Sequence, residues 1–489
     1  MLLLALSLVS STAIGYLLAS VFLPVYKPAW TDLLLKVSLG AGLGAGITSC
    51  VYFVVRISIG PSRVVAFAAE FLSLGAVAGA FWLARNVRHV AVAHAMPRGL
   101  LWWLLIGFAA ALAMAADLFA DSTASNPYGA WDAWAIWNSR ARFFAQPNAT
   151  WSRAFSPLLN QIAGAGAAHG DYPMLLSSYI ARCWTWMDAI GEVAAPIATA
   201  ALFWAATIGV LVSALAILRG WSTAMISGMI LLGTACLLVS PWQYADTPIG
   251  LYYVSTFALI LLADADSKGT LVLAGLAAGF AGWTKNEGLL FALIVTAAVV
   301  VSAFIAKNWR RIGLFAAGAA APMAIATYFK FFMAPPTGTF AQVSPGNAMH
   351  RLMEWPRYVE IIKAFWVEGL AQGAGVANPV VCLAVMGAFL KFAPERLRNL
   401  VMISSLGALL AMYAGYFCTY VVTPLDLTWH LNTSLDRLYA QLWPSLLLLV
   451  PAMFRSAEEV ATTTVTDQRD KVTRKAVAKK AKRMVQRSS

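Results

Sequence analysis

The chain has 489 residues, 60% of them hydrophobic and 12% charged, with a net charge of +13. Soluble globular proteins carry roughly 25% charged residues, so the composition excludes a water-soluble domain and indicates a polytopic membrane protein along its whole length. There is no Walker loop, no Gly-rich dinucleotide fingerprint after a strand and no His-x-x-x-His helix, so nothing calls for ATP, NAD or zinc.

A membrane-crossing helix needs about 20 mostly apolar residues. In chain order the runs that qualify are 2–23, 34–55, 64–84, 100–118, 193–218, 222–240, 247–263, 270–284, 287–306, 313–333, 376–393, 399–421 and 439–454. The expected fold is therefore all-α, with about 13 transmembrane helices and a long loop bearing interfacial helices. The first run lacks a basic segment before it and reads as a retained helix rather than a cleaved signal. Gly40, Gly42, Gly44 and Gly46 alternate in the second run, and Gly275 and Gly279 form a small-xxx-small pair; both patterns predict close helix packing. The run 270–284 is short and reads as half a helix joined to its successor at Lys285. Cys50, Cys183, Cys236, Cys382 and Cys418 have no paired spacing and are expected to be small core residues.

Basic residues orient the helices, because cytoplasmic loops are enriched in Lys and Arg. Placing Lys307, Arg310 and Arg311 in the cytoplasm puts the N-terminus outside, the C-terminus inside, and loop 119–191 on the outer face of the cell (inner) membrane. Gln243-Tyr244-Ala245-Asp246, Lys285-Asn286-Glu287, loop 334–375, and Trp429-His430 with Asp436-Arg437 fall on the same face. A charge at a helix centre costs about 2.5–3.5 kcal/mol on insertion scales, so these groups are expected around a shared wet cavity. The sequence divides into a three-helix N-terminal extension (1–99), a membrane core (100–455) and a basic tail (456–489). That tail, ending Lys479-Lys480-Ala481-Lys482-Arg483, suits anionic lipid on the cytoplasmic leaflet rather than nucleic acid.

Loop 119–191 is the expected seat of chemistry. Trp131-Asp132-Ala133-Trp134-Ala135-Ile136-Trp137 sets a carboxylate among three tryptophans. A helix over 131–146 places Trp134, Trp137, Ala141 and Phe144 on one stripe, with Arg140 on another face; such a helix would lie flat at the membrane surface. The tryptophans are ordinary interfacial anchors in this reading, whereas an Asp in their midst calls for a use of its charge. A second helix, from Met174 to Met187, follows His169-Gly170-Asp171-Tyr172-Pro173, with Pro at its entry. Asp246 before Thr247-Pro248 serves equally well as a helix cap or a functional acid. Lys285 and Glu287 read as an ion pair at a tight turn, or as a lysine turned to the cavity to meet a phosphate. Arg437 suits phosphate through its planar fork. His430, a lone His, is more often structural. Asp264-Ala265-Asp266 resembles a nucleotide-sugar metal motif but falls in a cytoplasmic turn away from the other groups.

At these residues the chain resembles the C-type-fold (GT-C) glycosyltransferases that use polyprenyl-phosphate sugars, such as aminoarabinose and protein mannosyltransferases. The resemblance runs from about residue 100 to residue 455. It rests on Asp132 in WDAWAIWNSRARFF, His169 and Pro173 in HGDYPMLL, and Asp246 in YADTPIGLYY. It also rests on Lys285 in GLAAGFAGWTKNEGLL and Arg437 in HLNTSLDRLYAQLWP. It implies inverting transfer of a sugar from a polyprenyl-phosphate donor to an acceptor hydroxyl of a lipid, glycan or protein, with Asp132 as base. Asp246, His169, Asp171, Lys285, Glu287, His430 and Arg437 would bind substrate. No cofactor is expected; only Asp132-Ala133 stands where the family carries an acidic pair, which weakens the argument for a divalent metal, and the need for one stays open. The alternatives are a transporter or flippase of a lipid-linked or small polar substrate, and a non-catalytic assembly subunit that holds a partner with the same loop.

Overall fold

The computed structural model describes residues 1–85, 87–91, 98–156, 169–234, 239–263, 268–335, 345–372 and 378–460. The Asp264-Ala265-Asp266 motif, Cys236 and the end of the basic tail lie outside them. The chain begins with α1 (Leu2–Phe22), strand β1 (Val25–Lys27), α2 (Ala29–Ser58), α3 (Arg63–Ala84), strand β2 (His89–Ala91) and α4 (Arg98–Ser125). The long loop holds a π-helical turn (Ala133–Trp137), α5 (Asn138–Phe144), a 3-10 turn (Ala149–Phe155) and α6 (Leu175–Met187). Then come α7 (Ala194–Arg219), α8 (Trp221–Leu232), α9 (Asp246–Leu262), α10 (Lys268–Thr284), α11 (Asn286–Ile305) and α12 (Arg310–Phe332). The last part holds α13 (Pro345–Leu352), α14 (Trp355–Ala371), α15 (Pro379–Phe389), a 3-10 turn (Pro394–Arg398), α16 (Leu400–Val422) and α17 (Leu427–Ala452).

Among the described residues, eight helices are long and apolar enough to cross a membrane: α1, α2, α3, α4, α7, α11, α12 and α16. α8, α9 and α10 are apolar but shorter. The protein is thus an all-α polytopic one, its sole described sheet being the parallel β1–β2 pair. Several expected boundaries move. The run 376–393 is helical only over the 11 residues of α15. The expected outer loop before 439 is instead the first part of α17, a 26-residue helix.

Tertiary contacts sort the inter-helix segments into two ends, and the sorting agrees with the charge-based threading. At one end β1 pairs with β2, Trp30 packs on Trp221 at 3.9 Å, and Arg219 donates to Ala452 O at 2.6 Å. At the other, Arg56 donates to Gln146 O at 2.6 Å, Arg63 to Trp186 O at 3.0 Å, and Arg351 to Val422 O at 3.2 Å. Each contact joins two segments assigned to the same side.

The glycine patterns act as expected. A Cβ at Gly40 would sit 2.7 Å from Tyr16 N, and one at Gly44 would collide with Ser11 O, so α1 lies directly on the α2 backbone. Gly275 brings α10 against Phe315 O of α12 in the same way. Bare backbones at a crossing admit the short approach that dispersion needs.

Residues 1–99 pack into the rest of the bundle. α2 is mostly buried, packs on α7 and α6, and accepts a 2.8 Å hydrogen bond from Tyr252 at Gly42 O. The second loop helix also departs from expectation. α6 is buried from Leu175 through Trp184, so it is lodged inside the protein rather than lying on the membrane surface. Arg182 on α6 forms an ion pair with Glu70 of α3, and Ser10 and Trp186 also donate to that carboxylate. Cys50 and Cys183 are buried free thiols, Cys382 is half-buried and Cys418 is exposed, so the last of these is not a core residue.

Candidate functional site

Loop 119–191 is attached to the turn before α9 by a set of local constraints. Gly129 takes a left-handed φ of 74°, and a Cβ there would press on Ala133 and on Trp242 O. The Ala130 amide donates to Trp242 O at 3.1 Å. Gln243, itself left-handed at φ 60°, accepts from Asn138 Nδ2 at 3.0 Å and donates to Pro127 O at 2.9 Å. These bonds carry Asp132, at the head of the π turn, alongside Asp246, the first residue of α9.

The π turn explains where the loop's side chains point. The Asn138 amide bonds to Ala133 O, five residues back, and this wider turn shifts the helical register, as π insertions do. Trp137, Ala141 and Phe144 are buried, as the stripe predicted, but Trp134 is exposed and stacks on Trp131 at 4.8 Å. Arg140, expected on another face, is fully buried. It donates to Tyr172 O at 2.7 Å and Gly170 O at 3.3 Å, and so holds the 169–173 turn.

At the centre lies Asp246, with a wholly buried side chain. Its Oδ1 accepts from Lys285 Nζ at 3.1 Å and Gln441 Nε2 at 2.6 Å. Its Oδ2 accepts from Arg437 Nε at 3.1 Å and Nη2 at 3.0 Å. The capping reading is overturned: Asp246 makes no side-chain cap bond, and Ala245 takes the cap position. Arg437 and Gln441 stand one turn apart on α17, which is why the helix must extend back through the expected loop. Tyr416 steadies Gln441 by donating to its Oε1 at 2.8 Å.

The network continues on both sides. Arg437 Nη2 reaches Asp132 Oδ2 at 2.5 Å, and its guanidinium lies 4.5 Å from the Tyr244 ring centroid. Lys285, in the break between α10 and α11, also pairs with Glu287 at 3.1 Å. The ion-pair reading of that turn holds, and the same lysine is drawn into the cluster by Asp246. Burial works against the Lys285 charge, but Asp246 and Glu287 outweigh it and raise the ammonium above its ordinary range. A buried charge is tolerable only when paired in this way. The connected set Glu287–Lys285–Asp246–Arg437–Asp132 holds three carboxylates and two cations. Its interior is closed, while the side chains of Asp132 (21% exposed) and Glu287 (20%) form its accessible edge.

The other expected residues occupy flanking positions. Asp171 accepts from Asn286 Nδ2 at 2.7 Å and lies 3.4 Å from Lys330 Nζ. His169 is not bonded to the ion pairs; it stacks on Tyr172 at 4.7 Å, and Tyr172 stacks on Trp137 at 5.5 Å. Burial lowers the His169 pKa, against the opposing pull of Asp171, so its imidazole is neutral near pH 7. His430 is further out, bonded to Thr423 at 2.9 Å and packed on Tyr420. Sequence reasoning gave no role to Gln441, Tyr244, Asn286 or Lys330. A signal existed for Lys330, a charge inside an apolar run; Gln441 and Tyr244 are common residue types with none.

Among the described residues no group of three or more His, Cys, Asp or Glu side chains could hold a metal ion. Comparison with known proteins returns no matching family model, no matching curated protein and no matching solved structure.

Proposed function

We propose that this protein is a membrane glycosyltransferase. It moves a sugar from a polyprenyl-phosphate donor to an acceptor hydroxyl at the outer face of the inner membrane, with inversion. The observation that carries this reading is the convergence of Asp132, Asp246, Lys285 and Arg437, from four separate elements, at one end of an apolar bundle. Such an arrangement suits a reaction that develops charge at the surface of a lipid phase.

In this reading Asp132 is the base. It stands at the accessible edge, its carboxylate held by Arg437. An arriving lipid phosphate competes for that guanidinium, whose planar fork binds phosphate as well as carboxylate through paired N–H donors, and the exchange frees Asp132 to accept the acceptor hydroxyl's proton. The hydroxyl oxygen then bonds to the anomeric carbon as the lipid phosphate departs with the bonding electrons. Arg437 and Lys285 stabilise the phosphate, an electrostatic contribution strengthened by exclusion of water. Asp246 holds both cations in place and does not touch substrate, a narrower role than orienting sugar or acceptor. His169, Asp171 and Glu287 line the sugar side, with His430 at the outer margin. The N-terminus lies outside, the C-terminus is cytoplasmic, and the GT-C fold with about 13 spans remains the architecture proposed.

The test is reconstitution in liposomes with a panel of radiolabelled polyprenyl-phosphate sugars and extracted envelope acceptors. Transfer by the wild type and its loss in Asp132→Asn, at unchanged folding, supports the proposal. Normal turnover by a folded Asp132→Asn protein removes Asp132 from catalysis. Vesicle uptake of an unaltered substrate would instead identify a transporter.

A further inference from the structure

We propose that α14 is an interfacial helix whose exposed stripe is immersed in the membrane leaflet at the site's end of the bundle. Around its axis α14 presents three distinct faces. One packs on protein: Ile361 is fully buried, Phe365 meets Tyr439 edge-on at 5.7 Å, and Arg357 donates to Tyr420 O and Thr423 O. Next to it runs an apolar stripe of Trp355, Val359, Ile362, Trp366 and Leu370, three or four residues apart and therefore on one side of the helix. These five are 40–71% exposed, which no solvated helix would maintain on so regular a period. Beyond the stripe lie Glu360 and Lys363, both exposed.

Protein, then apolar stripe, then charge is the order required of a helix lying along a bilayer boundary beside its own bundle. The occupant is the junction of headgroups and acyl chains, because the stripe continues onto a surface that already faces lipid. α14 packs on α15 and α16. α15 exposes Val381 and Val385, and α16, long and apolar enough to cross a membrane, exposes Leu410. The protein face of α14 packs on the helix that carries Arg437: Tyr439 of α17 donates to Phe365 O at 2.8 Å. α14 thus forms a wall with lipid on one side and the ion-pair cluster's helix on the other.

The test is nitroxide scanning in proteoliposomes of phosphatidylethanolamine and phosphatidylglycerol. Single cysteines at 359, 360, 362, 363 and 366 are introduced into a full-length chain whose own five cysteines are replaced. Collision with oxygen reports lipid, and collision with a water-soluble nickel chelate reports solvent. The oxygen-to-nickel ratio is expected to be several-fold higher at 359, 362 and 366 than at 360 and 363. A uniformly high nickel signal would overturn the proposal by placing the helix in water. Protection from both reagents at 359, 362 and 366 would overturn it equally, by showing a second copy or another protein on the stripe. The readout is independent of sugar transfer.

Discussion

Two buried arginine–carboxylate arrangements stand in this protein, and they differ in what is left over. Glu70 and Arg182 are 4% and 2% exposed, and the carboxylate is saturated by Arg182, Ser10 and Trp186. Arg182 also donates to Ser7 O at 2.8 Å. This pair fastens α3 and α6 together and offers nothing to a ligand. Asp246 is buried as completely, but Arg437 is 15% exposed, and the two cations on Asp246 are shared with Asp132 and Glu287, which reach the surface. Burial alone therefore does not single out a candidate site; an accessible, competing partner at the edge of a buried pair is what sets this one apart.

Substitutions should separate the two. Asp132→Asn is expected to lower transfer by about 10²–10⁴-fold, the range for loss of a general base, with little change in the melting temperature of the detergent-solubilised protein. Arg182→Met should do the opposite: stability falls by about 3–5 kcal/mol because a buried carboxylate loses its counter-ion, while the activity of the folded fraction is retained. The double change Glu70→Leu with Arg182→Met should recover most of that loss. Equal loss of specific activity in Arg182→Met would erase the distinction between the regions.

Gln441→Leu is an intermediate case, since Gln441 is fully buried yet touches the open network. Losing a hydrogen bond to a charged group costs about 1.5–3 kcal/mol, and both stability and transfer should decline. A decline in stability alone would assign Gln441 to scaffolding.

The smallest effect concerns His169. Burial lowers its native pKa below the ordinary value of 6.5, so the unfolded chain binds the proton more readily than the folded one. The neutral ring's contribution to stability is complete above about pH 6.5 and is lost as the pH falls below that value toward the lowered native pKa. Wild type should therefore lose more stability than His169→Gln between about pH 7 and about pH 5. Parallel thermal-melt profiles for the two proteins would show that the ring titrates as it does in water.

The helices were legible because apolar runs record the cost of crossing a bilayer, and the grouping of the connecting segments into two ends followed from their alternation along the chain. The glycine crossings at Gly44 and Gly275 were legible because spacing alone places small residues on one face. The meeting of Asp132, Asp246, Lys285 and Arg437 could be anticipated only as membership of one end; which atom holds which depends on the π turn and on the length of α17. The π turn is invisible to a fixed helical period, so Trp134 was assigned to the wrong face; Arg140 is buried because the 169–173 turn covers its side of the helix. The burial of α6 was hidden by its amphipathic pattern, since Arg182 reads as a water-facing charge until Glu70 is brought against it.

Asp246 joins three helices through one carboxylate: its own α9, the α10–α11 break through Lys285, and α17 through Arg437. It acts as a mechanical coupling as well as an electrostatic one. Displacement of Arg437 toward a bound anion would loosen the pull on Asp246 and shift its hold toward Lys285. In the proposed reaction, events at Asp132 would thereby reach Lys285 through this one carboxylate.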